Sequence, residues 1–127
     1  MLENIIETAS GFETAENVTL GVISDTHVPD WVDRLHPKTI GIFKEAKVDA
    51  ILHAGDICSP EVISQLERVA PVFAVRGNRD IYLLSKLPRV RLLTFAGHRI
   101  ALVHGHGRWN HYLINWSLIH IALIKPL

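Results

Sequence analysis

Three short apolar runs constrain the fold of this chain more than any other feature of its sequence. They are VTLGVIS (18–24), VDAILHAG (48–55) and APVFAVRG (70–77), and each is nearly continuous in apolar residues. Such runs are typical of strands covered on both faces, as in a parallel sheet, because a strand with one face in water alternates apolar and polar residues. The sequence therefore predicts three buried parallel strands.

Two helical segments separate these runs. The first opens at His36-Pro37 and continues through TIGIFKEAK, and the second opens at Ser59-Pro60 and continues through EVISQLERV. Proline is favoured at the first helical positions, and serine is a favourable N-cap. Glu61 in the first turn complements the helix dipole. The order is β-α-β-α-β, for which we expect right-handed crossovers.

The character of the sequence changes after these elements. RVRLLTF and RIALVHG flank Ala96-Gly97-His98, a turn signal that predicts an antiparallel hairpin. From Arg108 the spacing of apolar residues fits a helix with one broad apolar face, which Pro126 would end. We therefore expect an α/β fold: an open sheet that begins with parallel strands and gains antiparallel ones, followed by a C-terminal helix.

The length of the chain, 127 residues, indicates one domain with room for a core. We expect residues 1–17 to be an N-terminal leader, with one or two helical turns that end at Gly11, and residues 18–127 to form the domain.

Composition excludes several classes of function. The 13 basic and 13 acidic residues balance, and the absence of a basic run argues against binding of extended nucleic acid. A single cysteine excludes an internal disulfide and suits a reducing compartment. The most apolar stretch, LINWSLIHIALI (113–124), is shorter than the ~20 residues of a bilayer span. We expect a cytoplasmic protein that does not bind a membrane. The composition is compatible with a small phosphate-bearing ligand.

Polar clusters follow four of the predicted strands: Asp25-Thr26-His27, Asp56, Asn78-Arg79-Asp80 and His104-Gly105-His106. Ligands of open α/β sheets bind beyond the carboxyl ends of the strands, so these clusters are expected to converge. Carboxylates and imidazoles brought together without a partner would repel one another and cost desolvation energy, and divalent cations relieve both. Mixed Asp, His and Asn ligands suit Mn²⁺, Fe²⁺, Zn²⁺ or Ni²⁺.

The motifs D-x-H (Asp25, His27), G-D (Asp56), G-N-x-D (Asn78) and H-G-H (His104) occur in that order between residues 18 and 108. Each motif alone is weak, but the ordered set resembles the calcineurin-like metallophosphoesterase superfamily. It is most similar to the small, single-domain bacterial and archaeal phosphodiesterase branch. The resemblance implies a metallophosphoesterase fold that is incomplete here, with a divergent tail at 109–127.

The resemblance also implies a set of catalytic metal ligands. Asp25 and His27 would hold one ion, Asp56 would bridge two ions, and Asn78 and His104 would hold the second. The ions are expected to be Mn²⁺, and a hydroxide shared between them would attack the phosphorus of a phosphodiester or a small phosphomonoester in line.

Four further residues are expected around this site. Arg79 replaces a histidine of larger relatives and would steady a phosphate oxygen, and His106 would lie beside the substrate. His53 is expected to support the site through a hydrogen bond. Asp80 is expected to orient Arg79 or a backbone group.

One departure leaves three interpretations open. The family completes its metal shells with a later G-H-x-H motif, which this sequence lacks. The chain could be a phosphoesterase impaired by the missing ligands, or a truncated and inactive gene product. It could also be a non-catalytic protein-binding module, for which a retromer subunit of the same fold is a precedent. In that case the aromatic tail around Trp109 and Trp116 would contact a protein partner or a second copy of the chain.

Overall fold

The computed structural model describes residues 5–24, 35–57, 59–77, 80 and 86–104. Within these ranges it has six strands and two helices: β1 (Ile5–Glu7), β2 (Leu20–Ile23), α1 (Pro37–Ala46), β3 (Ala50–His53), α2 (Pro60–Glu67), β4 (Val72–Ala74), β5 (Val90–Phe95) and β6 (His98–Val103). The helix predicted from Arg108 lies outside the described residues.

The three predicted parallel strands form one sheet in the order β2-β3-β4. Leu20 of β2 pairs with Ala50 of β3, and Ile51 of β3 pairs with Val72 of β4, both in parallel register. Strand β3 lies in the centre of this sheet, and all four of its residues are buried. The predicted β-α-β-α-β arrangement is confirmed.

Both helices begin where their capping residues predict. The side-chain oxygen of Ser59 accepts the backbone N–H of Glu61 at 3.2 Å at the start of α2. His36 caps α1 in the same way, since its Nδ1 accepts the backbone N–H of Lys38 at 3.1 Å. Each side chain satisfies one of the amides that the first turn of a helix leaves without an intrahelical partner.

The predicted hairpin is confirmed, but it does not extend the parallel sheet. Strands β5 and β6 pair antiparallel, and the two residues of the turn, Ala96 and Gly97, have φ of 50° and 80°. Positive φ at both positions is typical of type I′ turns, whose twist matches that of the flanking strands. The hairpin lies in a second sheet of order β1-β5-β6.

Strand β3 alternates its side chains between two apolar layers. Ala50 and Leu52 pack in one cluster with residues of the hairpin, among them Leu93 and Leu102. Ile51 packs in another cluster with residues of α2, among them Leu66. The parallel sheet is thus covered by the second sheet on one face and by α2 on the other. This double covering explains why β3 contains a continuous apolar run.

The expectation of a helical turn before Gly11 is wrong. Residues Ile5–Glu7 form β1, which pairs in parallel with Val90–Leu92 of β5. The ring of Phe12 stacks on that of Phe95, with centroids 6.3 Å apart. Three residues are too few to show a strand period, and β5, distant in the sequence, supplies the hydrogen bonds. The domain boundary after residue 17 stays a prediction.

Neither helix in the described ranges has the length and apolar character needed to cross a membrane.

Candidate functional site

Two of the predicted site residues lie together beyond the carboxyl end of β3. Asp56 follows that strand after Ala54 and Gly55, and His104 follows β6 directly. Oδ2 of Asp56 is 3.5 Å from Nε2 of His104. The two residues are only 6% and 8% exposed, so the pair is nearly shielded from solvent. Residues 48 positions apart in the sequence thus form one buried acid–imidazole contact.

The second ring nitrogen of His104 fixes the orientation of its side chain. Nδ1 lies 2.7 Å from the backbone carbonyl oxygen of Ala54. Because a carbonyl oxygen can only accept, we infer that Nδ1 carries a proton and donates it. In the neutral ring this leaves Nε2, the atom that faces Asp56, as the nitrogen with a lone pair. A histidine that binds metal is commonly oriented by this kind of bond.

The backbone of Asp56 adopts an uncommon conformation. Its φ is 57°, in the left-handed region that costs an L residue roughly 1–2 kcal/mol, although Asp and Asn tolerate it better than other residues. Such conformations persist only where the surrounding structure holds them, and they cluster at functional sites.

Two glycines allow the polypeptide backbone to approach this contact closely. A Cβ on Gly77 would lie 2.2 Å from both the backbone nitrogen and Oδ1 of Asp56. Gly55 has φ of 107°, and a Cβ there would lie 2.8 Å from Nδ1 of His104. Any side chain at either position would displace Asp56 or His104. The glycines of the G-D and G-N motifs therefore have a steric explanation.

Asp80 is a second buried carboxylate beside Asp56, and it is 2% exposed. Its Oδ2 accepts the backbone N–H groups of Asp56 at 2.9 Å and of Gly77 at 2.8 Å. Its Oδ1 accepts the backbone N–H of Ile57 at 2.9 Å. The expectation that Asp80 orients a backbone group is confirmed. The motif alone does not reveal that it contacts two separate loops.

His53 supports the same loop from the end of β3. It is fully buried, and its Nδ1 accepts the backbone N–H of Gly55 at 3.1 Å. The predicted supporting hydrogen bond is confirmed.

The other predicted site residues lie outside the described part of the chain: Asp25, His27, Asn78, Arg79 and His106. Strands β2 and β4 nevertheless end at the same level, because Ile23 and Ala74 both pair with His53 of β3. Among the described residues, no group of three or more His, Cys, Asp and Glu side chains is arranged to hold a metal ion. The metal-ligand roles of Asp25, His27, Asp56, Asn78 and His104 stay predictions, as do the substrate contacts of Arg79 and His106.

The described donors suit a divalent ion. A carboxylate oxygen and an imidazole nitrogen with an inferred lone pair lie within 3.5 Å of each other in a buried place. This is the mixed oxygen and nitrogen chemistry that Mn²⁺, Fe²⁺ and Zn²⁺ accept. Together, the fold and the site define an α/β protein with a buried carboxylate–imidazole pair at the carboxyl edge of its parallel sheet.

Comparison with known sequences identifies the family. The calcineurin-like phosphoesterase superfamily domain matches residues 18–117, and the chain belongs to this superfamily. It is 42% identical over 86 residues to a probable metallophosphoesterase of Methanothermobacter thermautotrophicus, a match that covers 68% of this chain and 49% of that protein. A probable metallophosphoesterase of Methanocaldococcus jannaschii is also 42% identical, over 87 residues that cover 68% of this chain and 42% of that protein. The matched region thus spans about half the length of these relatives or less.

A solved structure shares the fold. The crystal structure of Chaetomium thermophilum Vps29 superposes with a TM-score of 0.63 at 22% sequence identity, and the match covers 77% of this chain and 54% of that one. The predicted α/β architecture of a metallophosphoesterase is confirmed.

Proposed function

We propose that this chain is a metal-dependent phosphoesterase that hydrolyses a phosphodiester or a small phosphomonoester. The buried contact between Asp56 and His104, at the edge where the parallel strands end, carries the proposal. In this proposal five residues hold two divalent ions, with Mn²⁺ as the preferred metal: Asp25, His27, Asp56, Asn78 and His104.

The described residues have distinct tasks in this proposal. Bound divalent ions supply Lewis acidity and lower the pKa of water. Asp56 contributes a carboxylate on a loop whose backbone amides are bonded to Asp80. His104 presents Nε2, because its Nδ1 donates to the carbonyl oxygen of Ala54. Burial of both side chains limits competition by bulk water and strengthens their electrostatic interaction with a cation.

The substrate is expected to be small. Arg79 and His106 are proposed to contact its phosphate group, and the balanced charge of the chain argues against an extended polyanion. We also propose a cytoplasmic location for the protein. For the tail at 109–127 we propose contact with a protein partner or with a second copy of the chain. Both proposals rest on the sequence alone.

Substitution of Asp56 by asparagine tests the proposal. Asparagine has nearly the same shape and tolerates positive φ, so the loop is retained while the negative charge is lost. Binding of Mn²⁺ is measured by calorimetry, and hydrolysis is measured with the chromogenic phosphodiester bis(p-nitrophenyl) phosphate. We expect Asp56→Asn to lower both Mn²⁺ affinity and hydrolysis by roughly 100-fold or more, since loss of an outer-sphere partner alone costs 10- to 100-fold.

Asp49→Asn is the matched control. Asp49 is an aspartate outside the site: its Oδ2 accepts the backbone N–H of Thr19 at 2.8 Å in an exposed place directly before β3. We expect Mn²⁺ binding and hydrolysis of this variant to equal those of the wild-type protein. Equal hydrolysis rates in the wild type and Asp56→Asn would refute the proposed role. A wild-type chain that neither binds Mn²⁺ nor hydrolyses the ester would favour the non-catalytic binding module.

A further inference from the structure

The carboxylate of Asp80 connects two loops that come from neighbouring strands. The backbone amides of Asp56 and Ile57 belong to the loop after β3, and that of Gly77 belongs to the loop after β4. All three donate to one side chain over distances of 2.8 to 2.9 Å. A carboxylate offers about four acceptor sites, so these amides occupy most of its capacity.

This arrangement addresses two difficulties at Asp56. The positive φ of that residue is intrinsically unfavourable. The hydrogen bonds from the amides of Asp56 and Ile57 to Asp80 help to hold the backbone in this conformation. Gly77 must also approach Asp56 so closely that a Cβ would lie 2.2 Å from Oδ1. The bonds of Asp80 to both loops hold them together at this separation, and thereby limit where the carboxylate of Asp56 can lie.

We infer that Asp80 is a positioning residue, which sets the location of the Asp56 carboxylate for metal binding by holding the backbone of two loops. The inference rests on the proposed function for its metal-binding part. Asp80 acts through the amides of Asp56 and Gly77, and the expected ligand set does not include it.

The alternative is that Asp80 only stabilises the fold. In that case its loss would lower the melting temperature and leave the intrinsic affinity of the folded protein for Mn²⁺ unchanged. A positioning role requires the affinity itself to fall. Mn²⁺ affinity and local amide protection therefore separate the two roles, whereas activity alone does not.

Asp80→Asn is the first test variant. Asparagine has one acceptor oxygen in place of two, so it loses either one or two of the three bonds, depending on its rotamer. Asp49→Asn is again the control, because it applies the same substitution to a carboxylate that accepts a backbone amide away from the site. Asp80→Glu retains both acceptor oxygens on a longer side chain, and serves as the conservative variant if Asp80→Asn does not fold.

Two measurements on the full chain are needed. The first is hydrogen exchange of the amides of Asp56, Ile57 and Gly77, monitored by NMR in the metal-free protein. It reports on the hydrogen bonds from these amides to Asp80. Calorimetric titration with Mn²⁺ reports on the position of the metal-binding carboxylate. For Asp80→Asn we expect at least one of these amides to exchange at least 10-fold faster, and Mn²⁺ affinity to fall roughly 10- to 100-fold, as for loss of other groups that orient metal ligands. Asp80→Glu should lose less affinity, and Asp49→Asn none.

The outcomes are distinguishable. If all three amides exchanged at unchanged rates in Asp80→Asn, the inference that Asp80 holds the two loops would be refuted. Faster exchange with unchanged Mn²⁺ affinity would overturn the positioning role and leave a purely structural one. If the wild-type protein bound no Mn²⁺, the proposed function and the positioning role would both fail. Faster exchange would still show that Asp80 holds the two loops.

Discussion

The contact between Gly77 and Asp56 leads to a quantitative prediction about Gly77→Ala. A Cβ at position 77 would lie 2.2 Å from the backbone nitrogen and Oδ1 of Asp56, whereas ordinary contacts of a Cβ begin near 3.4 Å. The loop after β4 and the loop after β3 must therefore separate by about 1 Å. Gly77 has no positive φ, so the added methyl group acts through this clash and not through backbone strain.

The magnitude follows from two contributions. An overpacked methyl group in a tight contact costs about 1–3 kcal/mol. Separation of the loops also weakens at least one bond from a backbone amide to Asp80, and a bond to a charged group is worth roughly 1.5–3 kcal/mol. We expect the free energy of unfolding to fall by about 3 kcal/mol, which leaves a protein of ordinary stability folded. For a chain of this size, that loss lowers the melting temperature by roughly 12 °C.

Gly41→Ala is the matched control in a thermal denaturation assay. Gly41 lies within α1, and nothing lies within 4 Å of a Cβ built on it. Alanine there should stabilise the protein by up to about 1 kcal/mol, because glycine is the poorer helix former. The same substitution should therefore have opposite effects at the two positions, and only Gly77→Ala should weaken Mn²⁺ binding. A melting temperature of Gly77→Ala equal to that of the wild type would refute the close approach of the two loops.

Two further predictions concern other contacts. Arg91 donates from Nε to the carbonyl oxygen of Ala74 at 2.6 Å and from Nη1 to the hydroxyl of Thr8 at 3.1 Å. Lysine has neither the Nε–H nor the planar fork that supplies these two donors, so Arg91→Lys should lower the free energy of unfolding in urea by about 1–2 kcal/mol, and an unchanged midpoint would contradict this. The backbone amides of Glu13 itself and of Ser10 lower the pKa of Glu13 below 4.5. The ionised carboxylate thus stabilises the fold above that pH, and the contribution disappears as the pH falls through the lowered pKa. Glu13→Gln should be less stable than the wild type at neutral pH, and the two should converge in acid. A stability difference independent of pH would refute this.

Local elements of this protein follow from the sequence because their causes are short-range. The apolar run from Val48 predicts a strand covered on both faces, and Ser59 before Pro60 predicts the start of a helix. The glycine turn before His98 predicts the hairpin. Each signal depends on residues only a few positions apart. The motif residues Asp56 and His104 are likewise recognisable, because a polar residue within a few positions of the end of an apolar run is visible without any knowledge of packing.

The pairing of distant segments was decided only by the tertiary structure. The short strand at Ile5–Glu7 exists because β5 supplies its hydrogen bonds, and no local pattern indicates this partner. The hairpin lies on the face of the parallel sheet, where Leu93 and Leu102 bury the side of β3 opposite to α2. That packing brings His104 within 3.5 Å of Asp56. A sequence specifies which groups can interact, but distances and burial arise from the simultaneous packing of side chains far apart in the chain.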